Sequence, residues 1–284
     1  MNTVSDVLQA ALATLGEADS PTPRLDVEVL LADCLKVDRL QFITHPEQFV
    51  SAKALAEYKA RIDRRKKGEP VSYIVGQKEF WSLPFYVNRA VLIPRPETEV
   101  LVEETLAVLA APSPEARHVL DVGTGSGAIA VSLAVERADI RITATDLSRK
   151  ALDVAEENAR MNGVHDRIRF MQGDLFAPVA GVYDVIVSNP PYISLSDFAS
   201  LPAGIRNYEP AEALLAGPDG TEIHRELIFQ GFSFLNRGGW LLMEMGEDQG
   251  RRIRSSLSEH GGYEEVGSRF DYGGTERVIK ARRG

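Results

Sequence analysis

Apolar residues recur at helical spacing in three stretches of the first 70 or so positions. Val4, Leu8, Ala11, Leu12 and Leu15 share one face of a helix predicted over 4–15, with Gly16 as its stop. A second helix over 24–36, opened by Pro21 and Pro23, carries Leu25, Val29 and Leu35. A third, over 51–67, carries Leu55, Tyr58 and Ile62 and ends at Gly68. Three amphipathic helices in so short a span predict a small bundle. Residues 71–93 change character: Tyr73-Ile74-Val75, Phe80-Trp81 and Phe85-Tyr86-Val87 are β-prone, with Ser82-Leu83-Pro84 as the turn, and predict a hairpin linking two domains. A helix over 98–110 follows, with Glu97 and Glu99 suited to its positive N-terminal end.

From residue 118 the pattern alternates between short apolar runs and helical spacing. Strands are predicted at 118–122, 141–146, 167–171, 183–188 and 239–245, and helices over 148–161, near 221–235 and near 248–259. Two last strands, 264–270 and 276–282, are close enough to pair antiparallel. Regular βαβ alternation predicts an α/β fold, a doubly wound, mostly parallel, seven-stranded sheet whose ligands belong at the carboxyl ends of its strands. The domains are thus a helical domain at 1–72, a hairpin linker at 73–93 and an α/β domain at 94–284.

Composition narrows the partners. The chain of 284 residues, 44% hydrophobic and 26% charged, has the make-up of a soluble globular protein, and no run is long enough to span a membrane. The first residues lack a basic stretch followed by an apolar one, so the chain is expected in the cytoplasm. Net charge is −9, which argues against a broad nucleic-acid surface. The dense basic run of Arg61, Arg64, Arg65, Lys66 and Lys67 reads as a solvated helix end, with a local phosphate or RNA contact as the alternative. The five histidines show no ligand spacing and Cys34 sits in an apolar run, so no metal is expected.

Three successive strand ends carry candidate chemistry. Gly123-Thr124-Gly125-Ser126-Gly127 follows the first strand and opens a helix, where glycines let a backbone approach a ligand. Asp146 ends the next strand, 23 residues beyond Gly123, and can accept both hydroxyls of a ribose. Asp174, in Gly173-Asp174-Leu175-Phe176, ends the third and suits an exocyclic adenine amine. Gly123-x-Gly125-x-x-Ala128 also meets a relaxed dinucleotide fingerprint. The third glycine at Gly127 and the end of the fourth strand, Asn189-Pro190-Pro191-Tyr192, favour S-adenosylmethionine, with S-adenosylhomocysteine as product. The Asn189 side-chain oxygen and the Pro190 carbonyl can each accept an N–H of a planar nitrogen while Tyr192 stacks on its plane. A strand end broken by a Pro-Pro turn is the plain alternative. The tetrad itself fits an amide and an adenine alike.

These residues resemble a class I S-adenosylmethionine-dependent methyltransferase acting on amino nitrogens. The segments Gly68-Glu69-Pro70-Val71-Ser72-Tyr73-Ile74, Ile93-Pro94-Arg95-Pro96-Glu97-Thr98-Glu99, Tyr208-Glu209-Pro210, Pro218-Asp219-Gly220 and Pro23-Arg24-Leu25-Asp26 narrow it further. Together they resemble the peptide chain release factor glutamine methyltransferases over essentially the whole length. The resemblance implies a methyltransferase domain behind a substrate-docking N-terminal domain. It implies transfer to the N5 side-chain nitrogen of the glutamine in the Gly-Gly-Gln motif of class I release factors, by a monomeric enzyme with no stable nucleic-acid or membrane partner. It implies cofactor contacts from Gly123, Thr124, Gly125, Ser126, Gly127, Asp146 and Asn189, and glutamine contacts from Asn189, Pro190, Pro191 and Tyr192. Leu175 stands where some relatives carry an aromatic and can still pack on the adenine. A glutamine methyltransferase acting on a ribosomal protein, and an adenine-N6 methyltransferase of DNA or RNA, are the rival readings.

An amide nitrogen loses its proton readily only as the methyl arrives, so no general base is expected, and pH dependence near neutrality is expected to be weak. Residues 194–220, without clear periodicity, are expected to wall the groove that takes the substrate loop, with a structural excursion as the alternative.

Overall fold

The computed structural model describes residues 2–16, 20–110 and 117–284, which divide into two compact units, 1–77 with 202–208, and 78–201 with 209–284. In the first unit, α1 (Val4–Gly16), α2 (Pro23–Leu35), α3 (Leu40–Thr44), α4 (Ala52–Lys66) and α5 (Val71–Val75) surround a core that includes Val7, Leu15, Leu30, Leu31, Tyr58 and Ile62. The short α3 is an addition to the helices expected from spacing. Tyr73-Ile74-Val75 is helical rather than extended. Pro70 fixes the entry to α5, Gly76 ends it at φ +76°, and Tyr73 and Ile74 are buried, so capping and burial override β-propensity.

The basic run at the end of α4 is largely neutralised by acids of the same unit. Arg61 pairs with Asp33 and Glu57, Arg64 pairs with Glu69 at 2.8 Å, and Arg65 pairs with Asp26 at 2.7 Å. Asp26 also accepts hydroxyls from Ser20 and Thr22. These arginines are structural partners, which disfavours the phosphate contact. Cys34 is half-buried beside this core, and burial pushes its thiol up to about 11, as for a packing residue.

The hairpin is β1 (Gln77–Phe80) and β2 (Leu83–Tyr86), turned by Trp81 and Ser82, both at positive φ. Leu83 and Pro84 lie in the strand, not in the turn as expected. A two-residue turn with both φ values positive matches the twist of the flanking strands, and it leaves Pro84 to the strand.

The second unit continues with α6 (Glu99–Leu109), β3 (Arg117–Val122), α7 (Ala128–Glu136), β4 (Ile140–Asp146), α8 (Arg149–Met161), β5 (Ile168–Gln172) and β6 (Tyr183–Ser188). A small excursion holds β7 (Ile193–Ser194), α9 (Leu195–Ser200), α10 (Ala203–Arg206) and β8 (Leu215–Gly217). Its Pro202–Tyr208 segment belongs to the first unit, where Tyr208 Oη donates to Lys67 O at 2.9 Å. The chain closes with α11 (Glu222–Gly231), β9 (Leu235–Glu244), α12 (Gly250–His260), β10 (Tyr263–Phe270) and β11 (Glu276–Arg283).

The main sheet has the order β10-β11-β9-β6-β3-β4-β5. Strands β5, β4, β3, β6 and β9 run parallel, and β11 is antiparallel to both β9 and β10. The central strands are apolar on both faces because helices cover both, with Val119, Leu120, Val185, Ile186, Val187, Leu241 and Leu242 fully buried. From β3 the chain steps outward through β4 and β5, then returns to β6 on the other side. That reversal opens a crevice beyond the carboxyl ends of β3 and β6.

Candidate active site

The glycine turn after β3 is shaped by its own backbone. Gly123 N and Thr124 N both donate to Thr145 O at 2.9 Å, and Gly123 and Gly125 have φ of +74° and +56°. A Cβ at either glycine meets nothing within 4 Å, so this stretch presents bare peptide to open space. Gly127 has a different job. Its φ is +80° and a Cβ there would lie 3.1 Å from Ala155 Cβ, so it lets α7 pack against α8. Asn158 of α8 locks this turn to the hairpin, donating to Ser126 O at 2.8 Å and to Tyr86 O at 3.0 Å while accepting from Tyr86 N at 2.7 Å.

Asp146, at the end of β4, accepts Gly125 N on Oδ2 at 2.8 Å and Ser148 N on Oδ1 at 2.9 Å. Each carboxylate oxygen keeps a lone pair for a further donor. Gly173 N donates to Asp146 O at 3.0 Å, which brings Asp174 and Leu175 to the same crevice. Asp174 is exposed, and Leu175 is half-buried at φ +44°.

Beyond β6, Ser188 Oγ donates to Val122 O at 2.7 Å and ties the ends of the two central strands together. Asn189 is half-buried and directs Nδ2 to Thr98 Oγ1 at 3.1 Å. Thr98 stands in the segment before α6, which is held from the other side by a buried acid. Glu209 accepts Arg95 Nη2 at 2.5 Å on one oxygen and Ile93 N at 3.2 Å on the other. The Glu209 side chain is 1% exposed, so this is an ion pair largely out of water.

A cavity of about 620 Å³ joins these parts, within the usual range for a small-molecule site. Gly123, Thr124, Gly125, Ser126, Asp146, Asp174, Leu175, Asn189 and Pro191 all line it. Gly127, Pro190 and Tyr192 do not reach its wall, so Gly127 leaves the set of direct contacts for the packing reason given above. Pro210, Glu212 and Ala213 of the 194–220 segment also line it.

Spacing alone missed three groups here. Asp121 is fully buried, accepts Thr124 Oγ1 at 2.6 Å, and is pushed up to about 7 by burial. Thr98, within the Ile93-to-Glu99 segment to which no site role was assigned, lines the cavity. Glu244 ends β9 at 1% exposure, with Oε1 3.4 Å from Tyr192 Oη, and burial pushes it up to about 7 as well. An acid closing an otherwise apolar strand, Leu241-Leu242-Met243-Glu244-Met245, was the available signal.

Comparison with known proteins adds the lineage. The model of the PrmC N-terminal domain matches residues 6–76, and that of the methyltransferase small domain matches 98–200. A release factor glutamine methyltransferase of Coxiella burnetii is 44% identical over 266 residues, 93% of this chain and 94% of its own. Its counterpart in Aliivibrio fischeri is 39% identical over 277 residues, 97% of this chain and 95% of its own. The chain belongs to the release factor glutamine methyltransferase family. As a member it is a methyltransferase, and S-adenosylmethionine is the methyl donor of that chemistry. The fold agrees with a solved structure of the human Mettl16 catalytic domain with an RNA hairpin, at a TM-score of 0.60 and 15% identity, covering 91% of each chain. Among the described residues no helix is long and apolar enough to cross a membrane, and no cluster of His, Cys, Asp or Glu could hold a metal ion.

Proposed function

We propose that this methyltransferase acts in the cytoplasm, as a monomer, on the glutamine of the Gly-Gly-Gln motif in class I release factors, methylating the side-chain N5 nitrogen. One observation carries the reading. The glycine turn, Asp146, Asp174 with Leu175, and Asn189, which come from four different strand ends, line a single cavity.

The residues present fit S-adenosylmethionine. The open peptide of Gly123 to Ser126 leaves room for its amino-acid portion, Asp146 has spare acceptor capacity for ribose hydroxyls, and Leu175 offers an apolar face to adenine with Asp174 beside it. When bound, that cofactor supplies a methyl group made electrophilic by its sulfonium. The chain's own task is to present the amide nitrogen. Asn189 Oδ1 accepts one of its N–H groups at the cavity wall, and the Pro190 carbonyl, which lies off that wall, would accept the second as the substrate enters beside it, favouring the positive charge that develops on nitrogen. Tyr192, also off that wall, would limit the orientation of the amide plane from beside the cavity, a gain of geometry rather than of chemistry. Burial, before the nearby Glu244 charge, raises the Tyr192 pKa, so its hydroxyl stays protonated.

The helical domain over 1–72 is the docking module for the release factor, with 73–93 as linker and 94–284 as catalytic domain. Pairing of Arg61, Arg64 and Arg65 with acids of their own unit favours a protein partner over a nucleic acid. The test offers methyl-labelled S-adenosylmethionine with a purified release factor, ribosomal proteins and duplex DNA in one competition. Label on the release factor alone supports the reading, and label on the ribosomal proteins or DNA overturns it.

A further inference from the structure

We propose that Gln249 is a positioning residue whose side-chain amide ties together the two ends of the 193–219 excursion and so holds Tyr192 beside the entering substrate. The part that concerns Tyr192 rests on the function proposed above. Gln249 does not line the cavity, so it acts through its neighbours and not on the substrate.

Three stretches of main chain meet at this carboxamide. Among the described residues, Nε2 donates to Tyr192 O at 2.7 Å and to Gly220 O at 3.0 Å, and Oε1 accepts Gly246 N at 2.9 Å. Tyr192 is the last residue before the excursion and Gly220 the first after it, while Gly246 lies just beyond β9. The two carbonyls can only accept and the Gly246 N–H can only donate, so the partners dictate which end of the amide is which.

Two glycines show how closely these stretches are drawn in. A Cβ at Gly220, whose φ is +79°, would lie 2.7 Å from Tyr192 O and 2.9 Å from Gln249 Nε2. A Cβ at Gly246 would lie 3.1 Å from Gln249 Oε1 and 3.2 Å from Tyr192 Cδ2. The Tyr192 carbonyl is thus bonded to Gln249 while its ring lies against the main chain at Gly246. Asp248, directly before Gln249, sits at φ +65°, a strained conformation that only a fixed surrounding retains.

Neighbouring bonds carry the effect into the cavity wall. Ile193 N donates to Leu214 O at 2.9 Å, and Leu214 directly follows Glu212 and Ala213, which line the cavity. On the return side, Arg252 Nη1 of α12 donates to Asp219 O at 3.1 Å. Gln249 therefore sets both the last residue of the tetrad and the wall segment that runs back to it.

The test compares wild type with two variants. Gln249→Glu keeps the length and the acceptor for Gly246 N but loses both amide donors, and Gln249→Met keeps the length alone. Amide hydrogen exchange in the free protein, read by mass spectrometry on peptides spanning 190–196 and 213–222, should quicken roughly tenfold in both variants while β3 exchanges as in wild type. With methyl-labelled cofactor and release factor, kcat should fall by roughly 10- to 100-fold, as for a group displaced by about 1 Å. Affinity for S-adenosylhomocysteine, measured by calorimetry, should stay at the wild-type value. A merely structural role would lower melting temperature and cofactor affinity together and leave kcat per folded molecule unchanged. The exchange readout needs no turnover, so it stands whether or not the release factor is methylated. Wild-type exchange at either end overturns the inference, as does a wild-type kcat or a cofactor affinity that falls in step with kcat. Should Gln249→Glu not fold, Gln249→Met decides by the same readouts.

Discussion

Gly125 N donates to Asp146 Oδ2 at 2.8 Å, so the glycine turn and the acid of the next strand form one rigid unit. The Asp146 carboxylate is oriented before any cofactor arrives, and its second oxygen is held by Ser148 N. Such preorganisation lowers the entropic cost of binding.

Asp146→Ala removes both the acceptor and the brace on the turn. Hydrogen bonds to charged groups contribute about 1.5–3 kcal/mol, so cofactor affinity should fall by roughly 10- to 150-fold. Calorimetry with S-adenosylhomocysteine measures this directly, and an unchanged affinity would place the ribose elsewhere.

Gly127→Ala tests the packing role. Its Cβ would meet the Ala155 backbone at 3.2 Å while the residue sits at φ +80°. Strain of this kind costs about 1–3 kcal/mol, and the melting temperature should fall by several degrees. Gly123→Ala, which meets open space, should lose affinity more than its backbone strain lowers stability.

Two buried acids give stability a pH dependence of known sign. Glu244 and Asp121 are each pushed up to about 7 from ordinary values of 4.5 and 3.8. Between those limits the folded state holds protons that the unfolded state has released. Their contribution to stability is therefore present below the ordinary carboxylate range and lost as pH rises through 7. Melting temperatures at pH 5.5 and 8 should drop less in Glu244→Gln than in wild type. An identical drop in both would mean that Glu244 is ionised well below 7.

Glu209→Gln breaks the clamp on the segment that carries Arg95 and Thr98. It leaves Arg95 without its charge partner and weakens the bond to Ile93 N. Removing one member of a buried pair costs about 3–5 kcal/mol, and less here because Arg95 is 30% exposed. Stability and turnover should fall together, which parallel melting and rate measurements would show.

The parallel sheet was legible because its strands are short apolar runs with a chemical group at each end, as in Asp146 and Asn189. Tyr73-Ile74-Val75 misled because local propensity favours a strand, while Pro70 and Gly76 cap a helix that buries two of the three. Gly127 read as a ligand contact because sequence cannot separate a glycine facing a cavity from one facing a helix. Glu244 stayed silent for a different reason. A glutamate at a strand end acquires meaning only when the sheet order sets β9 beside β6 and brings its carboxylate to Tyr192 of the tetrad.

The central claim is tested most directly by where the methyl group lands. A purified class I release factor, incubated with the enzyme and methyl-labelled S-adenosylmethionine, should carry one methyl on the Gly-Gly-Gln glutamine by peptide mass spectrometry. Asn189→Ala should abolish that transfer while retaining most of the cofactor affinity. Label that persists when the glutamine is replaced by alanine would contradict the account.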